Sequence, residues 1–100
     1  MDNELYYFIT VFSRYDDKGP HNMRCWGFYN NFEDAHMVVK NNITDIWETI
    51  YDFAIIEEYH PGISGYNFYR WFYKYNKEKD IYECIEEPKE LRHYAGFAMG

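Results

Sequence analysis

Twenty-three of the 100 residues are aromatic (12 Tyr, 8 Phe and 3 Trp), and this constrains the fold more than any other feature. An enclosed ring buries roughly 150–250 Å², so 23 rings would require about 3,500–5,800 Å² of burial. A chain of 100 residues forms one domain and buries about two-thirds of its unfolded surface. The ring content therefore exceeds what one small core holds. The surplus is expected at a subunit interface or a ligand pocket, where Tyr and Trp tolerate water at one end. The alternative is tyrosines lying flat on sheet faces with their hydroxyls in solvent.

The order of patterned segments sets the class. Residues 5–15 are rich in β-branched and aromatic types and read as a strand with two apolar faces. Residues 16–22 carry turn residues and are expected to form an open hairpin loop, with residues 23–29 returning as a second strand. Asn30 and Asn31 can cap a helix, with Glu33 and Asp34 in its first turn where the dipole favours anions. Phe32, Ala35, Val38 and Val39 fall at helical spacing and should face the sheet; Asn41 and Asn42 end the helix.

A short helical turn is expected over residues 44–48, a third strand over 49–59 and a loop over 60–65. Residues 66–75 form the clearest strand. Its alternation places Tyr69, Trp71, Tyr73 and Tyr75 on one face and Phe68, Arg70, Phe72 and Lys74 on the other. A polar tip over 76–80 leads to a last strand over 81–86. Pro88 then opens a short C-terminal helix over 89–94. The expected fold is α+β, a mainly antiparallel sheet of about five strands with one main helix on one face. The ring-rich face of Tyr69, Trp71, Tyr73 and Tyr75 exceeds what one helix can cover, which points to a homo-oligomer.

Composition narrows function by exclusion. Ten basic and 17 acidic residues give a net charge of −7, which argues against duplex nucleic acid as a partner. No apolar run reaches membrane-span length, and the N-terminus shows no export pattern. Cys25 and Cys84 stand alone, which excludes a disulfide scaffold or zinc module and suggests a reducing cytoplasm. Free cysteines in such a compartment usually behave as small core hydrophobes. His21, His36, His60 and His93 share no spacing, and only an accident of folding would pair His36 with Cys84 as a nucleophile. Glu57 and Glu58 alternate across a strand and so form no dyad. No glycine-rich phosphate loop occurs. Neither an enzyme nor a metal or cofactor is expected.

A binding role has two forms. In one, Arg24 shares a strand face with Trp26, and Arg70 is flanked by Tyr69 and Trp71. Rings that stack a base, with guanidinium groups nearby for phosphate, suit a small nucleotide. The candidate ligand-binding residues are Arg24, Trp26, Tyr29, Thr44, Asp45, Arg70, Trp71 and Tyr73, the acid being suited to ribose or base amino groups. Arginine stems packed on neighbouring rings would give the same pattern. In the other form, the seven acids of residues 33–58, opposed by Lys40 alone, block a basic host protein through a negative face.

Several segments carry a resemblance: Arg24-Cys25-Trp26-Gly27-Phe28-Tyr29, Asn42-Ile43-Thr44-Asp45-Ile46-Trp47-Glu48, Trp71-Phe72-Tyr73-Lys74-Tyr75 and the closing Gly96-Phe97-Ala98-Met99-Gly100. The chain resembles a family of short uncharacterised proteins of Firmicutes, their phages and mobile elements. That setting is similar to the setting of small viral sponge proteins, which sequester nucleotide immune signals of anti-phage defences. The resemblance implies a viral, non-catalytic, cytoplasmic nucleotide-binding protein, with the host cytoplasm as its place of action. The residues from 16 to 22 make a longer first loop than the family pattern, which bears on any role for Lys18 or His21.

Overall fold

The computed structural model describes residues 5–41, 51–59 and 67–91. Strand β1 (Tyr6–Phe12) runs into a short two-stranded ribbon, β2 (Arg14–Asp16) and β3 (Gly19–His21), and the chain returns as β4 (Arg24–Tyr29). Helix α1 (Phe32–Lys40) follows, then β5 (Phe53–Tyr59), β6 (Asn67–Asn76), β7 (Ile81–Ile85) and a 3-10 turn (Lys89–Leu91). The main sheet has the order β4-β1-β5-β6-β7, antiparallel throughout, so β4 and β7 are its edges. The fold is α+β.

Residues 16–22 form no open loop. Arg14, Tyr15 and Asp16 pair with His21, Pro20 and Gly19, closing a tight turn over Asp17 and Lys18. Gly19 has φ 115°, a conformation that side chains resist and glycine accepts. Asp16 secures the turn through the Lys18 N–H at 2.9 Å and the His21 Nε2 at 2.8 Å. The His21 contact, then the Lys18 N–H, holds the Asp16 carboxyl below the usual carboxylate range.

Both sheet faces carry apolar clusters, because the strand period of two sends alternate residues of β1, β5 and β6 to opposite sides. On the helix side, Tyr7, Ile9, Val11, Ala54, Ile56, Tyr73 and Tyr82 pack against Ala35 and Val39. Phe32 and Val38 complete the helix stripe. On the far side Phe12, Ile55, Phe72 and Leu91 form a second cluster, joined by Tyr15 from the ribbon. One helix covers more of the ring-rich strand than the sequence pattern implies. Tyr73 is buried, Trp71 and Tyr75 are half-buried, and Tyr69 alone of the four is exposed. The reason is length: α1 reaches from β4 across the sheet to β7.

Several sequence expectations lie wholly or partly outside the described residues, among them the turn at 44–48, the loop at 60–65, the start of the strand at 49–59 and the C-terminal helix beyond the 3-10 turn. Among the described residues, no helix is long and apolar enough to cross a membrane. Both cysteines are exposed rather than in the core, since Cys25 and Cys84 sit on the two edge strands.

Candidate functional site

A ring-and-cation pair with an exposed guanidinium lies on edge strand β4. Ile9 pairs with Gly27 but Thr10 pairs with Cys25, so Trp26 is an extra residue bulged out of the ladder. A bulge shifts the alternation and re-aims a side chain. Trp26 therefore joins the helix-side cluster, and Arg24, opposite Val11, lies on the same side. The exposed Arg24 guanidinium sits 5.8 Å from the centre of the Trp26 ring. Tyr51 meets the indole edge-on at 6.1 Å and 75°, fixing its orientation. Tyr29 is half-buried on the same cluster, further along the strand.

The other candidates separate. Trp71 packs between Phe32 (4.4 Å) and Tyr7 (6.4 Å) beneath the helix. Tyr73 is buried, its hydroxyl 2.7 Å from Nδ1 of His36. Burial raises the Tyr73 phenol well above its ordinary value, with Cys84 adding to the shift. Tyr73 belongs to the helix-side core, and the half-buried Trp71 packs against it. Arg70 faces the opposite side, as strand alternation requires, and cannot share a pocket with Arg24, Trp26, Trp71 or Tyr73. Thr44 and Asp45 lie outside the described residues.

Arg70 has a different task. Its Nε and Nη2 donate to one oxygen of Glu87 at 3.1 and 2.8 Å, and Nη2 reaches the Leu91 carbonyl at 3.4 Å. Nη1 lies 3.8 Å from Glu57, whose side chain has no exposed surface. Glu58 points the other way, buried on the helix side, and accepts a hydrogen bond from Tyr7 at 3.0 Å. Burial, then Glu58, raises the Tyr7 phenol above its ordinary value. Both glutamates are thus lost to any solvent-facing acidic surface. The sequence reading missed Tyr51 and Glu87, each brought in by topology. Nothing in the local pattern marks either one.

Among the described residues, no group of three or more His, Cys, Asp or Glu side chains is placed to hold a metal ion. Comparison with protein-family models, with curated proteins and with solved structures returned no match.

Proposed function

We propose that the protein is a non-catalytic binding module that captures a small nucleotide signal on the Arg24–Trp26 edge of its sheet. The observation that carries this reading is an exposed guanidinium over a half-buried indole, in a chain of net charge −7. Arg24 makes no ion pair among the described residues despite 17 acids in the sequence. The indole offers a stacking face, worth roughly 1–3 kcal/mol per base. The guanidinium offers planar, paired donors for phosphate. The resemblance to phage-borne chains extends the proposal to evasion of host immune signalling.

The test is to incubate the purified protein with a panel of cyclic oligonucleotides and cyclic ADP-ribose-like molecules, then release intact ligand by heating. Arg24→Ala should weaken capture about 10- to 150-fold, the worth of a hydrogen bond to a charged group. Since Arg24 is exposed, the variant should melt as the parent does. Equal affinity in the two proteins removes this edge from the site. A homo-oligomer belongs to the same proposal, now supported by Phe28 and Tyr69, which are 54% and 63% exposed. Light scattering that shows a monomer at micromolar concentration ends that part.

The acidic-inhibitor reading keeps the support of the net charge but loses Glu57 and Glu58. Of its described acids, Glu33 and Asp34 remain exposed. Release of a host partner by added salt, with Arg24→Ala silent, would favour it over capture of a nucleotide.

A further inference from the structure

Glycine is a costly residue inside a strand, since it packs nothing and loses the most backbone freedom on folding. Gly27 stands within edge strand β4, between Trp26 and Phe28, and two ordinary reasons for such a glycine do not apply to it. The first is conformation. Gly19 takes a positive φ and Gly27 does not, so the bulge at Trp26 is not the kind that needs a left-handed glycine. The second is crowding. A Cβ added to Gly27 would meet no atom within 4 Å among the described residues, its two chain neighbours apart. Neither backbone nor packing explains the missing side chain. The remaining reason for a bare strand position is the close approach of a ligand or of another backbone.

Register decides between them. Gly27 pairs with Ile9, and cross-strand partners share a face, so the bare position lies on the helix side. Trp26 is on that side as well, brought there by the bulge, with the exposed Arg24 guanidinium 5.8 Å from its ring centre. The half-buried Tyr29, opposite Tyr7, follows on the same face. A second copy pairing along the edge would not need residue 27 bare, because strand pairing runs in the plane of the sheet and a side chain stands out of it. The occupant is therefore a ligand that comes onto the face. Its neighbours there, an indole and a guanidinium, select a flat ring that carries an anion.

We propose that Gly27 is a specificity-determining position: the ligand's base takes the place of the missing side chain, beside the Trp26 indole, while its phosphate reaches Arg24. This rests on the reading of that edge as a nucleotide site and adds to it a requirement for a base, since a bare sugar phosphate would meet Arg24 alone. The test compares Gly27→Ala and Arg24→Ala with the parent, in thermal melts and in equilibrium dialysis against cyclic di-AMP, AMP and ribose 5-phosphate. Gly27→Ala should melt no lower than the parent, and up to about 8 °C higher, as a strand glycine with room for a methyl group gains one. The parent should bind cyclic di-AMP or AMP and hold ribose 5-phosphate far more weakly. Gly27→Ala should bind the same base-bearing probe about 5- to 150-fold more weakly, the worth of one stacked base. A lower melting temperature in Gly27→Ala overturns the inference, because the glycine then serves the fold. So does unchanged affinity in Gly27→Ala, or ribose 5-phosphate bound as tightly as AMP. Each of these three results leaves Arg24 in its site if Arg24→Ala still loses affinity. A parent that binds none of the probes, or an Arg24→Ala variant that binds as the parent does, ends the reading of this edge and the inference with it.

Discussion

The Glu57 side chain has no exposed surface, and the Arg70 guanidinium is held against it at 3.8 Å. Removing one member of a buried ion pair costs on the order of 3–5 kcal/mol. Arg70→Ala should therefore be among the most destabilising single changes in the protein. The double change Glu57→Gln with Arg70→Met should recover much of the loss. Urea unfolding of the three proteins checks this, and a single-variant cost below about 1 kcal/mol would show that Glu57 does not depend on Arg70. The opposition of Glu57 to Glu58 was legible in the sequence, because strand alternation is local. That Arg70 would spend its guanidinium on Glu87 was not, since the pairing joins residues 17 apart across the end of β7. An arginine between two rings in sequence reads as a stacking site. In a strand, those rings point away from it.

Elements follow the same division between local and long-range causes. Helix α1 is marked by its own residues: the Asn31 side chain accepts from the Asp34 N–H at 2.8 Å, and Glu33 and Asp34 fill the first turn. Asn31→Ala should cost about 1 kcal/mol, within the usual range for a lost N-cap, while Asn30→Ala should cost little. Thermal melts of the two variants separate the caps, and equal losses would contradict the assignment. Strands β5, β6 and β7 were readable from period and turn chemistry, with ends displaced by a few residues. The β2–β3 ribbon was not, because Pro20 and the five polar residues of 16–22 around Gly19 look like a loop until pairing is formed. The bulge at Trp26 was equally hidden. It depends on the register of β4 against β1, which neither strand specifies alone.

Across the whole molecule, the high tyrosine content becomes a liability in alkali. Tyr7, Tyr73 and Tyr82 have phenols raised above the ordinary value of 10.0, chiefly by burial. Tyr75 is pushed up to about 12, first by its hydrogen bond to Asp80. In the unfolded chain all four ionise near pH 10, while the folded protein keeps their protons to higher pH. Above pH 10 the unfolded state therefore binds fewer protons, and stability falls as pH rises. The stabilisation is complete below pH 10 and is lost as pH climbs through the raised values. The four residues lie on the helix side of the sheet, in one connected cluster, so their ionisation and the loss of the core should coincide. Raising the pH while following tyrosinate absorbance and far-ultraviolet circular dichroism tests this. The last tyrosinates should appear together with loss of the sheet signal. A single titration of all 12 tyrosines centred near pH 10, with the sheet signal intact, would show that the helix does not seal this face.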